Sequence, residues 1–252
     1  MALRSVAATR YVEALREGGS LPGLMEADDD GLYVTKFRGA GQGAAALVSE
    51  VLAGELARAI GLPVPELVVV EVAPEVGHAE PDPEIQELLA ASPGANAGMD
   101  FLPGALTFAL AAEPSVDPAF AADVVWFDAL VTNIDRTHRN PNLLIWHGRT
   151  WLIDHGAAFF RQHGDRPLAE TAHEGVPMLA DHVLLPVAGP LAEADERLAG
   201  PALAAVEGAA ALVPGEWLGP DREGRRGELR AFLERRLAAP RRFVEEAERA
   251  RR

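Results

Sequence analysis

The sequence predicts an α+β protein: a small antiparallel β-rich part carrying one long helix, followed by a larger, mostly helical part. Three observations lead to this. Strand-like apolar runs and turn residues dominate up to residue 100, with one Ala/Leu-rich helical stretch among them. A short hairpin pattern lies within residues 131–156. Helical apolar spacing then fills most of the remainder.

Taken in order, Ala7 to Glu17 has Tyr11, Val12 and Leu15 at helical spacing and is expected to be a short helix closed by Gly18-Gly19. Ser20 to Ala27 and Gly31 to Phe37 read as two strands joined by the polar turn Asp28-Asp29-Asp30. Gly39 to Gly43 is a flexible connector. Ala44 to Ile60 is expected to be the long helix, with Leu47, Val51, Leu52 and Leu56 as its apolar stripe. Gly61 closes it and Pro63 lies beyond. Glu66 to Val72 is a strongly β-forming run.

Residues 74–98 hold Pro74, Pro81, Pro83 and Pro93 and read as an excursion, with a helical turn at Glu84 to Ala91. Met99 to Gly104 is a connector between the two parts, placing the boundary near residue 100. The β-rich part spans 18–100 and the helical part 101–252. Pro118 to Leu130 is apolar on every face and is expected to be a buried helix, with Asp128 inside it needing partners if buried. Leu179 to Val187, Leu191 to Leu198 and Pro201 to Leu212 read as three helices. A last helical section from Pro220 to Arg252 is interrupted at Pro240.

The 252 residues carry a net charge of −15 and no cysteine. Disulfides and thiolate metal sites are excluded. From Asp221 onward there are 11 arginines against seven acids, so the excess negative charge lies in residues 1–220. Such a surface repels nucleic acid and anionic lipid. No apolar run reaches membrane-spanning length and the first residues are soon too polar for a signal peptide. A cytoplasmic protein without nucleic-acid or membrane partners is expected.

The chemistry concentrates in Val131 to Gly156. Asn133-Ile134-Asp135-Arg136 follows the apolar helix, and Asn140 stands five positions after Asp135. Leu143 to Trp146 and Trp151 to Ile153 flank the turn His147-Gly148-Arg149, and Asp154 ends the hairpin before His155-Gly156. An acid before a hairpin and an acid after it, with an asparagine between, suit phosphoryl transfer. One acid orients or deprotonates a nucleophile, and oxygen donors hold a divalent ion. Upstream, Lys36 alternates with apolar residues on a strand, and Glu50 and Glu55 lie on the following helix.

This order resembles the HipA-like kinases, whose fold is a two-lobed relative of the protein-kinase and phosphoinositide-kinase folds. The matching residues are Asn133, Asp135, Arg136, Asn140 and Asp154, with Asp154-His155-Gly156 where protein kinases have Asp-Phe-Gly. Glu50, followed six positions on by Leu56-Ala57 and then by Gly61-Leu62-Pro63-Val64-Pro65, fits the family's helix and selects Glu50 over Glu55. HipA toxins carry a further amino-terminal subdomain. Only the residues before Gly18 precede the expected phosphate loop here, so a toxin–antitoxin role is not part of the expectation.

The resemblance implies ATP- and Mg²⁺-dependent transfer of the γ-phosphate to a hydroxyl, with a Ser or Thr of a protein the expected acceptor and a small molecule the other class. It implies Asp135 as the acceptor-side catalytic residue, Lys36 on the phosphates held by Glu50, and Arg136 steadying the loop or the acceptor. Asn140 and Asp154 are implied as metal ligands, and Met99, Phe101 and Leu102 as the edge that meets the base. Gly18-Gly19-Ser20 would approach the phosphates. Residues 157–177 stand where kinases carry an activation segment.

Two other classes are open: an ATP-binding interaction module without transfer, and a metal-dependent phosphohydrolase using Asp135, Asp154 and His155. The seven histidines lack helical ligand spacing, and His163-Gly164-Asp165 is followed by no asparagine at the needed distance. Walker, nucleophile-elbow and dinucleotide fingerprints are all missing from the sequence.

Overall fold

Alternation rather than helical periodicity governs the first segment. In the computed structural model, which describes residues 2–15, 21–41, 43–77, 80–110 and 116–252, Ser5–Ala14 is a strand, β1. The expected helix over Ala7 to Glu17 is therefore corrected. Val6 and Ala8 are buried, whereas Ser5, Ala7 and Thr9 are exposed, the period-two pattern of a strand with one covered face. Gly18, Gly19 and Ser20 lie outside the described residues.

β2 (Gly23–Ala27) and β3 (Leu32–Lys36) form the expected hairpin. The long helix α1 runs Gly43–Ala59 and leads to β4, Leu67–Val72. A short helix α2, Pro83–Ala90, starts with Pro83 at its first turn, and its preceding Asp82 accepts from the Glu84 N–H. Then comes β5, Gly94–Asp100, where only an excursion was expected.

β5 is nonetheless a central strand, paired with β3 on one side and β4 on the other. Its sequence GANAGMD has low β propensity, which hid it. At Gly98 its neighbours leave no room for a side chain: a Cβ there would lie 2.4 Å from the Val70 side chain. The five strands close into a barrel in the order β1-β2-β3-β5-β4, and the closing β1–β4 pair is parallel. The β-rich part was expected to be antiparallel; the parallel β1–β4 pair corrects that, and closure leaves the sheet no free edge.

A second, three-stranded sheet joins β6 (Leu106–Thr107), β7 (Leu143–Trp146) and β8 (Arg149–Leu152). Between β6 and β7 runs α3, Pro118–Val131, capped by Asp117 and buried from Ala121 onward except at Asp123. α4 is one helix, Leu191–Leu212, with Pro201 inside it rather than a break. Proline removes one hydrogen bond, but packing against α1 and α3 keeps the helix continuous. α5 (Arg222–Leu237) and α6 (Arg242–Arg251) complete the chain.

The helix expected over Leu179 to Val187 is instead two single 3₁₀ turns, Leu179–Asp181 and Leu185–Val187. The Val183 N–H that a helix would need donates to the Arg136 carbonyl at 3.1 Å, and Thr137 and His182 form an isolated β-bridge. One apolar cluster fills the barrel around Met25, Tyr33, Val68 and Val70. α1 belongs to the larger cluster with α3, α4 and α5, so it faces both the barrel and the helices. No helix among the described residues is long and apolar enough to cross a membrane.

Candidate active site

On β3, alternation turns Tyr33 and Thr35 inward and sets Val34 and Lys36 on the opposite face. That face lines a cavity of about 480 Å³, together with β5 and the run after α3. The Lys36 Nζ donates to Glu50 Oε2 at 2.6 Å and to Asp154 Oδ1 at 2.5 Å. Burial works against the Lys36 charge, but Glu50 and Asp154 more than offset it and raise its pKa above the ordinary value. Burial works against the Glu50 charge too; Lys36 and His155 together outweigh it and hold the carboxyl below its ordinary range. Glu55, the rival on α1, pairs with Arg58 instead. Gly156 permits this packing, because a Cβ there would sit 3.1 Å from Lys36 Nζ.

The residues after α3 build the other wall. Asp135 Oδ2 accepts from Asn140 Nδ2 at 2.8 Å and from Asn142 Nδ2 at 3.3 Å. Among the described residues Oδ1 has no such donor. Burial pushes the Asp135 carboxyl above its ordinary pKa, opposed by the Asn142 hydrogen bond, with nearby Asp154 pushing the same way as burial. Asn142 and Asp154 adopt left-handed φ of 48° and 55°, a conformation that short polar side chains tolerate. Such outliers concentrate at sites where geometry is imposed.

Arg136 was expected among the catalytic residues. Its side chain has no exposure and pairs with the equally buried Asp128 at 2.5 Å. It also donates to the Asn142 carbonyl and, at 3.3 Å, to the Ile153 carbonyl. A guanidinium enclosed in this way ties the two ends of the hairpin together and is not among the residues that line the cavity. Asp128 collects Asn133 Nδ2 at 3.0 Å and His182 Nε2 at 2.9 Å as well. The Leu184 N–H donates to His182 Nδ1 at 3.1 Å, which fixes the ring proton on Nε2.

Asn142, Asn133 and His182 were not assigned roles from sequence. Asn133 is one of the matched residues and Asn142 lies two positions after matched Asn140, so both could have been suspected; His182 carried no signal. Burial raises the Asp128 pKa, but Arg136 and His182 overcome it and the carboxyl sits well below its ordinary value. In the unfolded chain the group titrates near 3.9. Its contribution to stability is therefore complete above about pH 4 and is lost as the pH falls below that. Urea unfolding between pH 7 and pH 3 should show a steeper acid loss for the wild type than for Asp128→Asn. Equal slopes would remove Asp128 from the acid response.

The expected base edge is also at the cavity: Met99, Phe101 and Leu102 line it. The Phe101 N–H already donates to the Leu32 carbonyl and the Leu102 carbonyl accepts from Ala105. The Leu102 N–H has no internal partner among the described residues. Glu13, Ala14 and Leu15, at and after the end of β1, cover the cavity with Pro22. Among the described residues no three His, Asp or Glu side chains converge as a metal cluster. The carbonyl oxygen of Asn140 and the carboxylate of Asp154 are hard donors that fit Mg²⁺, an ion that keeps much of its shell for water and phosphate.

A family model described as HipA-like kinase matches residues 9–238. The chain belongs to the HipA-like kinase family. The kinase is also similar in fold to a solved structure, the proinflammatory kinase CtkA of Helicobacter pylori, with a TM-score of 0.59. That likeness covers 96% of this chain and 95% of the other at 12% identity. No curated protein sequence matches. Family membership makes phosphotransfer the chemistry of this HipA-like kinase.

Proposed function

We propose that this HipA-like kinase moves the γ-phosphoryl group of ATP to a hydroxyl, the expected acceptor being a Ser or Thr of a protein. The observation that supports this most is the shared cavity wall: Lys36, Glu50, Asn140 and Asp154 all line it, and Asp135 is joined to it through Asn140 and Asn142. The volume suits a nucleotide-sized ligand.

The base lies along Met99 to Leu102, with the Leu102 N–H as donor. Lys36 turns its ammonium to the phosphates while Glu50 keeps its place. Asn140 and Asp154 would hold Mg²⁺, which would supply neutralising charge to the phosphates. The acceptor hydroxyl approaches Asp135 Oδ1. Its oxygen bonds to the γ-phosphorus as the bond to the β–γ bridging oxygen breaks. Its proton passes to Asp135, and ADP leaves.

The assay is incubation with γ-labelled ATP and Mg²⁺. Label should appear on the protein or an added acceptor. Asp154→Asn should transfer none while unfolding at the wild-type urea midpoint within error, because Lys36 keeps Glu50. Undiminished transfer by that variant sinks the assignment. Binding without transfer would mark an interaction module, and free phosphate alone a phosphohydrolase.

A further inference from the structure

His155 has no part in the chemistry above, yet its surroundings are specific. The side chain is fully buried, and neither ring nitrogen has a hydrogen bond among the described residues. Buried polar atoms are nearly always bonded, and leaving one unpaired is costly. The ring is held edge-on to Phe127, with centroids 6.1 Å apart. On its other side α1 presents Gly54, where a Cβ would lie 3.8 Å from Nδ1.

That nitrogen faces Glu50. His155 Nδ1 lies 3.9 Å from Glu50 Oε1, within ion-pair reach but too far for a hydrogen bond, while Oε2 of the same carboxylate takes the Lys36 ammonium at 2.6 Å. The two oxygens thus face different partners. Lys36 is itself divided between Glu50 and Asp154. A phosphate that draws the ammonium away weakens the bond to Oε2. Glu50, with only 4% of its side chain exposed, then has little water to replace that bond. About 1 Å of motion closes the His155 gap to a normal N–H···O distance.

We infer that His155 is a positioning residue for the Lys36–Glu50 pair: its Nδ1–H holds Glu50 Oε1 so that the carboxylate stays in place when Lys36 engages phosphate. An aromatic ring without a donor would fill the same space and leave Oε1 unsupported. This inference extends the kinase reading of the site, but its spectroscopic test does not depend on turnover.

The experiment uses the full chain with ¹⁵N-labelled histidine, with and without Mg²⁺ and a non-hydrolysable ATP analogue. His155→Phe assigns the resonance by its disappearance. The His155 Nδ1 should resonate as a protonated nitrogen and shift in Glu50→Gln. An unprotonated Nδ1, or one indifferent to Glu50→Gln, overturns the inference whether or not the chain transfers phosphate.

The kinetic arm compares His155→Phe with His155→Asn, whose amide N–H can stand where Nδ1 does. His155→Phe should keep the higher Tm but lose about tenfold in kcat, the worth of one hydrogen bond to a charged group. His155→Asn, with a smaller side chain, should melt lower yet retain more of kcat. A kcat order that simply follows Tm would show a packing role only. If nothing transfers phosphate, the proposed function fails and the NMR result alone decides for His155.

Discussion

Asp135→Asn should lower kcat for phosphotransfer by about 10²–10⁴-fold, the span that one positioned acid or base contributes. The substitution keeps the shape of the side chain and its reach to Asn140 and Asn142, which both address Oδ2. What it removes is the ionised oxygen on the other side, where an acceptor hydroxyl would leave its proton. Because the proposed base edge and Lys36 are untouched, affinity for ATP should change by less than about threefold, as expected when an interaction made only in the transition state is lost. Single-turnover transfer from labelled ATP, with nucleotide binding measured separately, checks both numbers. A variant that loses ATP affinity and keeps kcat would place Asp135 in nucleotide binding instead.

The second large effect is on stability. Arg136→Ala should cost about 3–5 kcal/mol, because it leaves the buried Asp128 carboxylate without its cation. The loss goes beyond one ion pair. Arg136 also holds the Asn142 and Ile153 carbonyls, which flank the hairpin that carries Asp154. Asp128 keeps Asn133 and His182, but these are donors without the permanent charge of a guanidinium. Urea unfolding gives the figure directly. Arg136→Lys should recover only part of it, since an ammonium cannot span Asp128 and two carbonyls in one plane. A loss below about 1 kcal/mol, the size of an exposed pair, would mean that the network is not as enclosed as its geometry indicates.

The candidate site was legible because its signals are local and chemically sharp. Asp135, Asn140 and Asp154 stand within one short run at spacings that few other uses explain, and the Gly61-to-Pro65 pattern sets the register of α1 so that Glu50 rather than Glu55 is selected. In the structure Lys36 meets Glu50 and Asp154, and Asn140 meets Asp135. For Arg136 two uses were expected, steadying the loop or the acceptor, and the sequence alone does not choose between them. An arginine beside Asp135 has the same sequence whether it faces solvent or Asp128, and only enclosure by α3 and the segment at His182 separates the two.

By itself, then, the sequence determined the α+β class, the long helix α1, the hairpin of β7 and β8, and the set of ionic residues. Each depends on residues near one another in the chain, where propensity and spacing act directly. The tertiary structure decided the rest. β1 is a strand because β4, more than fifty residues later, offers it a parallel partner and closes the barrel. β5 is central despite its glycines and alanines because β3 and β4 pair with it on either side, and at Gly98 Val68 and Val70 leave no room for a side chain. The turns around His182 are not helix because their backbone serves the loop of Arg136 and Thr137. In each case a long-range contact outweighed a local preference of about 1 kcal/mol or less per residue, the scale of such preferences.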